Sequence, residues 1–207
     1  MARAMPYPIL LDVTHLRIVI VGGGGVARRK AGGLIDAGAT DITVVSPTLA
    51  DDFPPVRHVA SVYAPPALAD ARLVFAATDD SLVNAAVVRD ARAVGALVCR
   101  ADTDDDNPGD FVTPAKFSEG PITVTVSAGS AALSAAIRDG LRQRLDPRWT
   151  KMAEAMSVLR PMLRDASGLS PARRASAFRR LASAEALDVL DRQGTAGLLA
   201  WLQAFDV

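Results

Sequence analysis

Arg17-Ile18-Val19-Ile20-Val21-Gly22-Gly23-Gly24-Gly25-Val26-Ala27-Arg28-Arg29-Lys30 decides the fold: an apolar run breaks into four glycines and continues in a helix-like pattern. Ile18 to Val21 is a short β-branched run suited to a parallel strand buried on both faces. Gly22, Gly24 and Ala27 fit the G-x-G-x-x-G/A spacing of a Rossmann turn. The first small residue allows the tight turn, and the second lets backbone approach a pyrophosphate. The third lets the helix pack on the strand while its N-terminal N–H groups face the phosphates. A merely structural glycine turn is the alternative. Context favours the dinucleotide, because a strand precedes the turn, a helix pattern follows, and a second strand (Ile42 to Val45) arrives after Gly38. One part of the fingerprint is missing. The second strand ends in Ser46-Pro47-Thr48, with neither the acid that binds a ribose 2′-hydroxyl nor an Arg to mark a 2′-phosphate.

Working outward, Val26 to Ala37 reads as helix with Gly38 as its stop, and Arg28, Arg29 and Lys30 fall on its solvated side. Val56 to Val62 is a third strand between Pro54-Pro55 and Pro65-Pro66. Leu73 to Ala77 is a fourth, running into Thr78-Asp79-Asp80. Asp80 or Ser81 caps a helix over Leu82 to Val94, Gly95 ends it, and Ala96 to Arg100 is a fifth strand. This βαβ alternation predicts a Rossmann-like, doubly wound parallel sheet in an α/β fold, whose ligands sit at the carboxyl ends of the strands. The Gly22 turn, Pro47-Thr48, Thr78-Asp79 and the segment after Arg100 then share one rim. Asp102 lies on that rim directly after a strand, where a carboxylate could take a proton from a substrate. The five aspartates of 102–110 do not form an EF-hand, since the spacing and the closing Glu are absent; Asp104, Asp105 and Asp106 read as a solvated or cation-binding loop.

From Phe111 the pattern changes. Phe111 to Phe117 and Ile122 to Val126 alternate like an antiparallel pair with Glu119-Gly120 in the turn, and such a hairpin needs a partner surface. Ser127-Ala128-Gly129-Ser130 leads into a helix, Ala131 to Leu145; Ser127 and Ser130 either cap it or touch ligand. Beyond Pro147 the chain reads as helical, with breaks near Pro161, 168–171 and Gly194. Met152, Met156, Leu159 and Leu163 repeat as a core stripe. The expected organisation is therefore a dinucleotide-binding domain over 1–110, a central hairpin and helix over 111–146, and a C-terminal helical domain over 147–207.

At 207 residues the chain can bury a real core. Its 23 basic and 23 acidic residues cancel, which removes any general electrostatic case for nucleic acid or an anionic membrane. The halves differ: residues 1–137 hold 11 Lys+Arg against 15 Asp+Glu, the rest 12 against 8, so an acidic body adjoins a basic tail. Arginines in that tail are a solvated face or a fork for a polyanion. The single cysteine, Cys99, excludes an internal disulfide and fits a reducing, cytoplasmic setting; no long apolar span or signal-peptide core is present. His15 has no metal-ligand neighbour at a suitable spacing, and no metal site is expected.

The order of these parts resembles the precorrin-2 dehydrogenase family of siroheme synthesis, over nearly the whole chain. The resemblance is carried by Pro8-Ile9-Leu10-Leu11-Asp12, Val21 to Lys30, Ala76-Ala77-Thr78-Asp79-Asp80 with Val83-Asn84, Val98 to Asp102, Pro114-Ala115, Pro121 to Val124, Ser127-Ala128-Gly129 and Ile137 to Leu141. It implies NAD-dependent oxidation of precorrin-2, a tetrapyrrole with eight carboxylates, to sirohydrochlorin, followed in some members by insertion of ferrous iron. It implies that Gly25, Val26, Pro47, Thr48 and Thr78 lie along the NAD with Gly22 and Gly24, and that Asp102 is catalytic in dehydrogenation and, in bifunctional members, in chelation. It implies too that Ser127, Gly129 and Ser130 border the tetrapyrrole, and that hairpins interlock in a homodimer.

Two departures adjoin the expected tetrapyrrole site. Cys99-Arg100-Ala101-Asp102 stands where relatives commonly read N-V-V-D, before a longer and more acidic loop, and Ser127-Ala128-Gly129-Ser130 lacks the proline of the family pattern. Two other readings are an NAD(H)-sensing regulatory module without catalysis, which has no use for Asp102, and a dehydrogenase for another small acid.

Overall fold

The computed structural model describes residues 7–102, 109–165 and 170–204. The chain forms two compact units, Met1–Thr113 and Pro114–Val207.

The first unit is built on strands β1 (Arg17–Val21), β2 (Asp41–Val45), β3 (Arg57–Val59), β4 (Leu73–Ala76) and β5 (Leu97–Arg100), with helices α1 (Gly25–Ile35) and α2 (Ser81–Ala93). All five strands are parallel, in the order β3-β2-β1-β4-β5. Alternate residues of a strand face opposite sides, so β1 feeds two cores. Ile18 and Ile20 join Ala27, Ala31 and Leu34 of α1 on one face. Val19 and Val21 join Val87, Val88 and Ala91 of α2 on the other. Burial on both faces explains why β1 and β4 read as unbroken apolar runs.

Register fixes the rim. Val21 pairs with Val45 and with Ala76, and Ala76 pairs with Arg100, so four strands end in one layer. The ladder continues past the strand ends, with Gly22 N–H donating to Val45 O (2.9 Å), Ala77 N–H to Val21 O (2.8 Å) and Ala101 N–H to Ala76 O (2.9 Å). Gly22, Ser46, Ala77 and Ala101 are therefore neighbours at the carboxyl edge, as the alternation predicted.

The second unit holds a two-stranded antiparallel hairpin, β6 (Ala115–Glu119) and β7 (Ile122–Val126), followed by α3 (Ala131–Arg144), α4 (Arg148–Asp165), α5 (Pro171–Leu181) and α6 (Ala184–Gln203). Met152, Leu159 and Leu163 of α4 pack with Ala177 and Leu181 of α5 and with Leu187, Leu198 and Leu202 of α6.

Four expectations shift. β3 has three exposed residues rather than seven, because only Arg57–Val59 pair with β2. The hairpin starts at Ala115, not Phe111, and turns at Gly120-Pro121. Phe111 instead packs edge-on against Phe75, with ring centroids 5.5 Å apart and planes at 85°. Helix α4 runs through Pro161, whose side is exposed, where water can replace the lost backbone bond. Lys30 is half-buried, not solvated: its amine donates to the Thr113 hydroxyl and stands 5.9 Å from the Phe75 ring centre. Burial pushes that amine below the usual lysine range. The expected break at Gly194 (φ 67°) is present, a further break that the sequence reading did not name falls at 182–183, and Ser170 caps α5 with Pro171 in its first turn. Asp104, Asp105 and Asp106 lie outside the described residues.

Candidate functional site

The four glycines divide into two pairs. A β-carbon on Gly22 (φ 116°) would lie 2.3 Å from Ala77 O, and one on Gly23 would lie 1.9 Å from Thr48 O. This half of the turn is wedged between the loops after β2 and β4, and Ala50 N–H donating to Gly23 O (2.7 Å) pins it. Gly24 and Gly25 face the other way. A β-carbon on Gly24 would meet nothing within 4 Å, and the nearest atom to one on Gly25 is Arg29 Nη1 at 3.8 Å. Helix α1 begins at this point with no side-chain cap on its first turn, so its leading N–H groups are offered outward. An open glycine backbone at an uncapped helix N-terminus suits a pyrophosphate in sterics and in dipole. Val26 is half-buried on the core, and Ala27 is fully buried where the helix crosses the strand.

Pro47 and Thr48 are exposed beside the turn, after the buried Ser46. No acidic side chain follows β2 directly. Arg28 reaches this loop from α1, its guanidinium donating to Asp51 O at 3.3 Å.

Across the rim, Thr78 enters a network centred on Asn84, which is 0% exposed. Asn84 Oδ1 accepts from the Thr78 backbone N–H (3.1 Å) and hydroxyl (2.8 Å), and its Nδ2 donates to Thr78 O (3.0 Å) and to Asp102 Oδ2 (3.0 Å). Asp80 caps α2 by accepting from Leu82 and Val83 N–H.

Asp102 follows β5, and its side chain is 25% exposed. Arg100, buried beneath it, donates through Nε to one carboxylate oxygen and through Nη2 to the other (2.9 Å), and also donates to Ser81 O at 3.0 Å. Burial pushes the Asp102 carboxyl up, but the bonds from Arg100 and Asn84 outweigh it and hold the group below the usual carboxylate range. Asp102 is thus an oriented anion at neutral pH. The chain then returns antiparallel beside β5: Gly109 bridges Cys99, and Asp110 accepts from Val98 N–H and from Arg92. Gly109 (φ 88°) is needed there because a β-carbon would lie 2.5 Å from Val98 O.

Gly22, Gly24, Gly25, Val26, Pro47, Thr48, Thr78 and Asp102 thus gather along one edge of the first unit. Ser127, Gly129 and Ser130 belong to the second unit, at the N-terminus of α3. Ser130 caps that helix by accepting from Leu133 N–H (3.1 Å), Ser127 is exposed, and Gly129 (φ 72°) has open space at its β-carbon position. Ser134 braces the same turn, accepting from Ala128 N–H and donating to Ser130 O. Sequence reading missed Asn84, Arg100, Gly23 and Ser134 as functional or supporting groups. Their signal was a polar or glycine residue inside an apolar stretch, which becomes informative only when burial is known. Cys99 is no reactive thiol, since burial pushes it up. Among the described residues, no group of three or more His, Cys, Asp or Glu could hold a metal, and no helix is long and apolar enough to cross a membrane.

Residues 9–115 match a family model described as putative NAD(P)-binding. The chain is 37% identical over 150 residues to siroheme synthase from Gluconacetobacter diazotrophicus, covering 68% of this chain and 31% of that protein. It is 34% identical over 201 residues to siroheme synthase 2 from Aeromonas hydrophila, covering 94% of this chain and 42% of that protein. The chain thus spans about a third of the length of the curated relatives it matches. Among solved structures, the precorrin-2 dehydrogenase SirC superposes with a TM-score of 0.76 over 96% of this chain and all of that one, at 22% identity. This likeness shows the fold.

Proposed function

The chain belongs to the putative NAD(P)-binding family, and on that premise we propose that it oxidises precorrin-2 to sirohydrochlorin with NAD as acceptor, in siroheme synthesis. The cofactor is a nicotinamide dinucleotide, and when bound it supplies the hydride acceptor. The observation that carries the reading is the juxtaposition, through Asn84, of the Thr78 loop on the dinucleotide rim with an oriented, ionised Asp102.

In this reading Gly24, Gly25 and Val26 cradle the pyrophosphate, Gly22 shapes the turn, and Pro47 and Thr48 lie along the adenosine ribose. Ser46-Pro47-Thr48 carries neither the acid of an NAD site nor the Arg of an NADP site, so the choice of NAD rests on the family resemblance. Thr78 orients the nicotinamide half. Oxidation removes two hydrogens from the macrocycle: a hydride leaves to the acceptor, and Asp102 takes the accompanying proton. A carboxylate held at low pKa is a weak base, so the proton stays briefly and leaves to water through the exposed quarter of the side chain. For ferrous iron as a further substrate, Asp102 would remove pyrrole protons as the ion enters. Ser127, Gly129 and Ser130 border the tetrapyrrole, and the tail arginines suit its carboxylates.

The hairpin supports a homodimer. Two strands alone are marginal in water, and α3 carries Leu133, Ile137 and Leu141 exposed at one-turn spacing. A single buried cysteine accords with the cytoplasm.

Anaerobic incubation with precorrin-2 and NAD, following NADH and the sirohydrochlorin spectrum beside Asp102→Ala, tests the reading. Turnover by the parent and its loss in the variant are expected. NAD binding without turnover would overturn it in favour of an NAD(H)-sensing module.

A further inference from the structure

A fully buried asparagine that spends its whole side chain on two segments of a ligand-facing rim is unusual for a packing residue. Asn84 makes four hydrogen bonds, three to Thr78 and one to Asp102, and none to its own helix through the amide. Thr78 Oγ1 in turn accepts from Asp80 N–H, and Asp80 O lies within reach of the single hydroxyl proton that Asn84 Oδ1 also takes. The loop after β4 and the carboxylate after β5 have no strand hydrogen bond at this level, since the ladder closes with Ala101 N–H on Ala76 O. Beyond that point the amide of Asn84 joins Thr78 directly to Asp102, whose carboxylate Arg100 also holds. Only an amide can do so, since it accepts on one atom and donates twice on the other.

We propose that Asn84 is a positioning residue, which fixes the Thr78 loop for the dinucleotide and the Asp102 carboxylate for the proton with one buried amide. The role rests on Asp102 being the proton acceptor. Among the described residues, the charged group in contact with Asp102 is Arg100, from β5. From the start of α2, Asp80 turns its carboxylate to the N–H groups of Leu82 and Val83, and from the loop after β4 Thr78 is uncharged and Asp79 is exposed. Asn84 is therefore the neutral side-chain donor to Asp102, beside a backbone N–H bond at Asp102 itself, and removing it leaves Arg100 in place.

The test is a carbon-13 carboxyl titration of Asp102 in the full chain, with NAD affinity measured on the same samples. Loss of one hydrogen bond to a charged group corresponds to about 1.5 kcal/mol, so Asn84→Ala should move the Asp102 midpoint up by about one pH unit. NAD affinity should fall several-fold, and the acid limb of kcat/KM should move up with the midpoint. Asp80→Ala, which cuts the cap of the same helix, should leave the midpoint where it is. If Asn84→Ala fails to fold, Asn84→Leu keeps most of the volume without the donor, and the Asp102 midpoint should rise in the same way. An unmoved midpoint in the folded variant, or equal movement in Asp80→Ala, overturns the proposal. The titration needs no precorrin-2, so a parent that never turns over sinks the dehydrogenase reading separately, while a parent that turns over with an unmoved variant midpoint sinks this inference alone.

Discussion

Gly22 and Gly24 stand two residues apart in one turn and should fail differently when a methyl group is added. At Gly22 the left-handed backbone and a β-carbon 2.3 Å from Ala77 O both oppose it. Gly22→Ala should cost about 3 kcal/mol of stability, read by urea denaturation. At Gly24 the space is open, so Gly24→Ala should fold with unchanged stability and lose NAD affinity, read by calorimetric titration. Asp102 gives a pH prediction. Its folded pKa lies below the ordinary value, so its bonds to Arg100 and Asn84 stabilise the fold above about pH 4 and are lost as pH falls through the lower folded value. Asp102→Ala should therefore trail the parent in urea denaturation at neutral pH, and the gap should narrow toward pH 3. The glycine spacing and Asp102 itself were legible in the sequence. Which glycine is steric and which is open was not, since that depends on the Ala77 and Thr48 carbonyls brought in from two other loops.

Helix starts were the most legible elements, because caps act through residues close in sequence. Of the alternatives the sequence offered, Asp80 rather than Ser81 caps α2 and Ser130 caps α3; Ser183, which the sequence reading did not name, caps α6. Asp80→Ala should cost about 1 kcal/mol in thermal or chemical denaturation, while leaving the parallel sheet intact. Strand and helix limits that depend on distant partners were less legible. Phe111 continues the alternation of β6 in sequence but is claimed by Phe75, because an aromatic edge on an aromatic face buries more than an unpaired strand end. Lys30 has the spacing of a solvated helix position but lies over Phe75, where Thr113 satisfies one of its protons. Pro161 reads as a break and is instead carried on the exposed side of α4.

At the scale of the molecule, the exposed stripe of Leu133, Ile137 and Leu141 carries the dimer prediction. Ile137→Glu should convert a dimer to a monomer in sedimentation velocity while leaving NAD affinity unchanged, since the dinucleotide rim belongs to the first unit. An unchanged sedimentation coefficient would argue that this face has another use. The sequence by itself determined the parallel sheet, its glycine turn, the rim and the helical tail, because apolar periodicity and turn chemistry act over a few residues and do not need distant partners. Tertiary structure alone decided that Asn84 and Arg100 converge on Asp102, that Gly22 and Gly23 are wedged while Gly24 is open, and that Lys30 is covered. In each case the deciding atom comes from a strand or loop remote in sequence, and burial turns an ordinary polar residue into one that must be satisfied.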